Sequence, residues 1–375
     1  MIKAILSVTN DLYTDPRVDK VARFLQRNGY QVTLVGRRYG DSPSLENRPY
    51  QTHRMRLLFR RGPLFYAEYQ LRLFLFLIFH RFDVYVANDL DTLLPNFLIS
   101  RMRKKRLVYD SHEYFCGELS VVSNSASLWV WSHIEKFCFP KLETVITVSQ
   151  SIVDQYEKEY GIRPYLVRNI PPQRKVEVTE TRTSLGMPED KFVLILQGNA
   201  INEGRGGEEM IEAMPLLPDT HLFVVGGGLS LPAMKQRAKE LNVADNITFV
   251  GRQNQQMLYN YTVLSDAGIA LDRDLSANLR FSLPNKIFEY IKAGTPLVVS
   301  NLVERRNIVE QYQVGVVAED WTPESIAAAV RQLMDDTDFF RQCQEHCITA
   351  SHELTWENEE KVLAEIYATS PSLKS

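Results

Sequence analysis

Short β-rich runs alternate with longer amphipathic ones along this chain, pause near residue 170, and begin again near residue 192. Residues 4–8, 31–36, 83–87, 106–109, 144–148 and 165–167 read as strands, with helices such as 16–27 and 150–160 between them. That order dictates βαβ units, whose right-handed crossovers build a mainly parallel sheet. From 169 to 191 the rhythm fails: Pro171-Pro172, a Thr/Glu/Arg mixture and Gly186-Met187-Pro188 offer little to bury, which predicts a linker. Strands return at 192–197, 221–225, 247–250, 267–271 and 297–300, with helices at 205–213, 232–241, 255–264 and 322–334. The predicted organisation is an α/β unit over 1–170, a linker over 171–191, a second α/β unit over 192–350, and a helical tail over 351–375 packing back towards the first. Ligands of such sheets sit beyond the carboxyl ends of the strands, in a cleft.

Composition excludes several classes. A net charge of −3 gives no global reason to expect nucleic acid. Four cysteines are too few and too scattered for a disulfide framework, and Cys343 and Cys347 lack the second cluster a zinc site needs, so no metal is expected. Reduced thiols point to the cytoplasm. The greasiest run, residues 71–79, falls well short of the ~20 residues that span a bilayer. The favoured place for it is a buried helix before a central strand. The alternative is weak peripheral attachment to an anionic membrane surface, on the cytoplasmic membrane's inner face. Arginines 54, 56, 60 and 61, the aromatic segment 65–82 and the basic run 101–106 would supply the contacts.

Strand ends are where chemistry is expected. After residue 197 comes "GNAINEGRGG", a glycine-rich strand-to-helix loop with Arg205 beside the helix start. Such a loop lets backbone N–H groups approach an anion, and a guanidinium adds forked, permanent charge for phosphate oxygens. It lacks the Walker spacing, and the first strand-turn "SVTND" lacks Gly-x-Gly-x-x-Gly, so NTPase and NAD readings are disfavoured. The triplet Gly226–Gly228 is either a close-packed turn or a ligand contact. In "SLPNKIFEYIKAGTPLVVS", Ile287, Phe288 and Ile291 face the core while Asn285, Lys286 and Glu289 share another face. In the first half, "VANDLD" and "VYDSHE" each end a strand, which brings Asp89, Asp91, Asp110, His112 and Glu113 to one rim. Asp91 is expected to begin the next helix as its cap.

Together these pieces resemble the family-4 retaining glycosyltransferases (group 1 glycosyltransferases) of the GT-B fold, two Rossmann-like parallel-sheet domains facing a central cleft. The carriers are "LILQGNAINEGRGGEEMIEAM", the run from "HLFVVGGG" to "SDAGIAL", "PNKIFEYIKAGTPLVVS" and "VGVVAEDWTPESIAAAV", with "NDLDTLLP" and "VYDSHEYF" in the first half. The resemblance implies a metal-independent hexosyltransferase that needs no cofactor and takes a nucleotide-sugar donor, a UDP-sugar first and a GDP-sugar second. It places Gly198, Asn199, Gly204, Ser282, Leu283, Pro284, Asn285 and Glu289 around the donor, with Glu289 on the ribose and Arg205 and Lys286 on the diphosphate. His112 would reach the sugar, and Asn10, Asp11, Arg17, Asp89 and Glu113 are the acceptor-side candidates. The acceptor would be a saccharide or lipid-linked saccharide of cell-surface glycan biosynthesis. One departure stands out: Phe281 holds the position of the family's first glutamate. Two other functions share the architecture, a nucleotide-sugar 2-epimerase and a catalytically inactive nucleotide-sugar-binding module.

Overall fold

The computed structural model describes residues 1–13, 15–40, 42–45, 47–173 and 176–368. The chain forms two units: Met1–Asn169 together with the residues from Glu360 onward, and Ile170–Glu359.

The first unit carries β1 (Lys3–Asp11), β2 (Gln31–Arg38), β3 (Gln51–Arg56), β4 (Val84–Asn88), β5 (Arg106–Ser111), β6 (Val145–Thr147) and β7 (Tyr165–Leu166). All pair in parallel, in the order β3-β2-β1-β4-β5-β6-β7. The second carries β8 (Phe192–Gly198), β9 (Thr220–Gly226), β10 (Ile247–Gly251), β11 (Ala267–Ala270), β12 (Leu297–Ser300) and β13 (Gly315–Ala318), parallel in the order β10-β9-β8-β11-β12-β13. Each strand order reverses once, between β1 and β4 and between β8 and β11. Connecting helices there leave to opposite faces, which opens a crevice at the strand ends. The central strands are apolar on both faces, as a parallel sheet covered by helices requires: residues 193–196 and 297–299 are fully buried.

Helix boundaries follow local chemistry. Asp15 caps the Pro16–Arg27 helix by accepting from Val18 N, with proline in its first turn. Thr322 caps Pro323–Asp335 in the same way, accepting from Ser325 N. Asn285–Ala293 buries Ile287, Phe288, Tyr290 and Ile291 and ends at Gly294, whose φ of 72° is the left-handed stop.

Several expectations change. β3 and β13 were not anticipated: β3 is an edge strand in which only Met55 is buried, so its sequence shows no apolar alternation. The greasy run 71–79 is the second half of the Gly62–Phe79 helix and is not buried all round. Phe65, Tyr69, Leu73 and Leu77 face inward, whereas Leu71, Leu75, Ile78 and Phe79 are exposed, Phe79 at 79%. No helix among the described residues is long and apolar enough to cross a membrane. The 171–191 segment, read as a linker, goes with the second unit. Met187 lies in its core, and Arg182 pairs with Asp266 at 2.6 Å; Arg174 and Lys175 are outside the described residues. The final helix, Trp356–Ala368, sends Tyr367 against Phe24 and Tyr30 of the first unit, while 369–375 lie outside the described residues. Cys343 and Cys347 are buried among apolar side chains.

Candidate functional site

In the second unit, β8 and β11 pair only at Leu194 and Ile195 and then part. The Tyr290 hydroxyl enters the fork, bonding Ile195 O, Ile269 O and Gln197 N at 3.2–3.3 Å. Only glycine fits at 268, since a Cβ there would lie 2.4 Å from the Tyr290 ring. This one contact fixes the Asn285–Ala293 helix over the switch point.

The glycine loop after β8 is pinned to its neighbours. Ile201 N donates to Gly227 O at 2.8 Å, and Arg273 N donates to Gly204 O at 2.8 Å. Gly206 has φ of 80°, and a Cβ on it would meet Leu271 backbone at 2.6 Å. The triplet after β9 resolves as a close-packed turn: a Cβ on Gly226 or Gly228 would strike the carbonyl of Gly198 or Ile201 at 1.8–2.0 Å. The loop therefore presents Arg205 from a fixed backbone.

Asp272, just past β11, organises the charges. It is fully buried and faces Arg205 Nη1 at 3.3 Å and Arg305 Nη2 at 3.2 Å. Its main-chain carbonyl accepts from Ser300 Oγ and Trp321 Nε1. Burial opposes its ionisation, yet Arg305 first, then Lys286 and Arg205, hold its pKa at about 2. Arg305 is also fully buried and donates to Leu279 O and Ser282 Oγ. Arg205 is 39% exposed on its side chain, so its fork is not consumed. Lys286 is half-buried and makes no hydrogen bond or ion pair among the described residues; burial lowers its pKa, and Asp272 opposes that drop. Glu289 accepts from Gln197 Nε2, whose own carbonyl accepts from Thr262 Oγ1 at 2.8 Å. Burial raises the Glu289 pKa, and the Gln197 bond holds it down.

The structure thus brings Arg205, Lys286 and Glu289 together, with Gly198 and Gly204 in the adjoining loop. Asn199 and Asn285 are exposed beside them. Ser282 is occupied with Arg305, Leu283 is core, and Pro284 stands just ahead of the helix. Phe281 ends the short Ala277–Phe281 helix, half-buried. Gln197, Thr262, Asp272 and Arg305 were missed. Asp272 carried a signal, an acid directly after a buried strand; Arg305, inside "VERRN", carried none.

In the first unit, β4 and β5 end in a buried ionic cluster. His112 Nδ1 lies 3.3 Å from Asp89 Oδ2, and Nε2 lies 3.4 Å from Asp110 Oδ2. Burial pulls the imidazole pKa down, but Asp89 and Asp110 outweigh it and raise it to about 9. Burial also opposes ionisation of Asp110, and Arg17 and His112 hold it well below the usual carboxylate range. Arg17 Nη2 reaches Asp110 at 2.7 Å, and Nη1 reaches Val167 O at 2.9 Å. Both His112 ring nitrogens are therefore turned to carboxylates, and in this arrangement the residue fixes Asp89 and Asp110. Asp89 has φ of 60° and ψ of 166°, strain of a kind that collects at functional sites. It precedes the Leu90–Arg103 helix without capping it and instead accepts from His112 N at 2.7 Å. Asp91, expected as that cap, sits inside the helix and accepts from Thr9 Oγ1; burial raises its pKa to about 7.

Asn10, Asp89, Asp91 and Glu113 line a cavity of about 350 Å³ with Thr9, Arg37, Arg60, Arg61 and three aromatic rings. Arg17 and Asp11 do not. Arg17 is spent on Asp110, and Asp11 is buried against Arg54 at 2.8 Å.

Two parallel-sheet Rossmann-like units, one with a glycine loop, an arginine and a Lys/Glu helix at its switch point, define a glycosyltransferase of GT-B architecture. The chain belongs to the group 1 glycosyltransferases: residues 177–350 match the family described as "Glycosyl transferases group 1", and residues 17–172 match "Glycosyltransferase Family 4". It is 23% identical to an uncharacterized glycosyltransferase of Methanocaldococcus jannaschii, over 92% of each chain. It is 26% identical to the lipopolysaccharide core biosynthesis glycosyltransferase LpsD of Rhizobium meliloti, over 41% of this chain and 43% of that protein. Among solved structures it shares its fold with HepE of Anabaena in complex with UDP, at a TM-score of 0.74 and 15% identity, over 98% of this chain and 100% of that one.

Proposed function

We propose that the chain transfers a hexose, with retention of anomeric configuration, from a nucleoside-diphosphate sugar to a saccharide or lipid-linked saccharide during cell-surface glycan assembly. The observation that carries this is the convergence of Arg205, Lys286 and Glu289 on the β8/β11 switch point, with Lys286 unpaired. A departing diphosphate needs positive charge where its negative charge develops, and preorganised side chains supply it without a metal ion. Arg205 offers two parallel N–H bonds, Lys286 a compact charge, and the glycine loop its backbone. Glu289, aimed by Gln197, keeps a second oxygen for ribose hydroxyls. Retention proceeds by attack on the face the diphosphate leaves, so no protein nucleophile is required. A UDP-sugar is the first choice of donor and a GDP-sugar the second; the UDP complex of HepE supports that order.

The test is thermal unfolding with UDP, GDP, ADP and TDP. At least one should raise the melting temperature, UDP most, and Glu289→Gln should remove most of that rise. No response to any of the four, or donor conversion in an acceptor-free incubation that points to epimerisation, would overturn the transferase.

We also propose cytoplasmic location with peripheral attachment through the Gly62–Phe79 helix. Its exposed Leu71, Leu75, Ile78 and Phe79 adjoin Arg81, a combination that suits an anionic interface. Sedimentation with anionic vesicles at low salt should pull down the protein and fail for Leu75→Glu/Phe79→Glu. Equal recovery of both proteins would sink the attachment.

A further inference from the structure

The ends of β2 and β3 and the turn before the Gly62–Phe79 helix gather five arginines that the donor chemistry does not use. Arg37, Arg38, Arg56 and Arg60 line a cavity of about 360 Å³ to which no carboxylate among the described residues contributes. Arg37 and Arg60 also line the adjoining 350 Å³ cavity, joined there by Arg61 and faced by Asp89, Asp91 and Glu113. Three neighbouring arginines are matched to acids: Arg54 with Asp11, Arg48 with Asp19, Arg17 with Asp110. The five here make no ion pair among the described residues. Arg37 is the most constrained of them. Its guanidinium carbon lies 4.2 Å from the Tyr39 ring centre and 4.7 Å from that of Phe65, and its buried Nε has no partner. Stacking of this kind fixes the fork and leaves its outer N–H groups directed at the cavity.

We propose that this double cavity holds a phosphorylated acceptor, its phosphate in the arginine-lined chamber and its sugar hydroxyls on Asp91 and Glu113. Guanidinium forks match phosphate oxygens two at a time, whereas carboxylates accept from hydroxyls, so one wall reads the charge and the other the sugar. The division of the lining into two chemistries is what a neutral saccharide would not call for. The phosphate belongs either to a free sugar phosphate or to a lipid carrier's headgroup, and both present anionic phosphate oxygens to the same forks. Calling the ligand an acceptor rests on the glycosyltransferase reading; phosphate binding by the first unit does not.

The experiment uses the full chain with saturating UDP, which occupies the donor site so that added phosphate reports on the first unit alone. One arm titrates glucose 6-phosphate, with glucose as control. The other uses phosphatidylcholine vesicles doped with phosphatidic acid. At least one arm should bind, and Arg37→Gln/Arg60→Gln and the surface pair Arg60→Gln/Arg61→Gln should each weaken it tenfold or more. The UDP-induced rise in melting temperature should persist in both variants, which shows that they fold. Binding in the first arm identifies a soluble sugar phosphate. Binding only in the second that both arginine variants weaken identifies a lipid phosphate, whereas vesicle binding lost only in Leu75→Glu/Phe79→Glu belongs to the exposed helix face and counts against the cavity. No binding in either arm, binding unchanged in both variants, or glucose binding as tightly as its phosphate overturns the proposal. Loss of the UDP response in the unmodified protein would instead strike the donor-site reading and leave the phosphate result standing.

Discussion

Replacing Arg205 by alanine is expected to cut sugar transfer by about 10²–10³-fold, the usual cost of removing one preorganised donor from a developing oxyanion. Arg205 stands 3.3 Å from Asp272 on a loop pinned at Gly204 and Gly206, so its charge is in place before the donor arrives. Lys286 remains in the variant, but a single ammonium neither spans two phosphate oxygens nor spreads its charge between them. The loss should fall on kcat and kcat/KM together, because the leaving diphosphate carries more negative charge in the transition state than in the bound donor. Arg205→Lys should recover part of the rate and Arg205→Gln almost none. Initial rates at saturating acceptor decide the matter: an alanine variant within about twofold of the parent would remove Arg205 from the chemistry.

The fold was legible because its grammar is local. Buried parallel strands need continuous apolar residues and their helices need caps, so 192–197, 297–300 and the Thr322-capped helix read directly from the chain. β3 escaped because an edge strand buries one residue in six, and its polar string Gln51–Arg56 satisfies its backbone through β2 alone. The 71–79 run misled for a related reason. Apolar composition states what a side chain tolerates, not what covers it, and Leu71 and Phe79 have no covering partner among the described residues.

The site was half legible. Arg205, Lys286 and Glu289 lie beside glycines and proline whose spacing implies a loop and a helix start. Asp272 and Arg305 act through a pairing across 33 positions that no periodicity encodes. In the first unit the strand-end rule brought Asp89, Asp91, Asp110, His112 and Glu113 to one rim, and the structure gathers the same five there. Arg17, in the Pro16–Arg27 helix, and Asp11, at the end of β1, were implied by the resemblance, and each is paired inside the unit.

Arg305→Ala is expected to destabilise the second unit by about 3–5 kcal/mol, because it takes the nearest counter-charge from a fully buried carboxylate and leaves it only the part-exposed Arg205 and Lys286. At roughly 2–4 °C per kcal/mol for a unit of this size, the melting temperature should fall by about 6–20 °C. The sign with pH follows from Asp272, whose pKa is lowered from 3.8 to about 2 in the folded chain. A depressed carboxyl contributes stability that is complete above its unfolded value and is lost as pH falls towards the folded one. The gap between parent and variant should therefore be widest above pH 4 and close as the pH approaches 2. Asp272→Leu/Arg305→Met separates stability from function. Two apolar side chains of similar bulk can replace a buried pair at little cost, so much of the lost stability should return. Arg205 would still lack its anchor, since Asp272 is the only side chain it hydrogen-bonds among the described residues, and nucleotide affinity should stay low. Urea denaturation beside UDP titration reads both quantities. A double variant that regains stability and binds UDP as the parent does would show that the buried pair only holds the unit together.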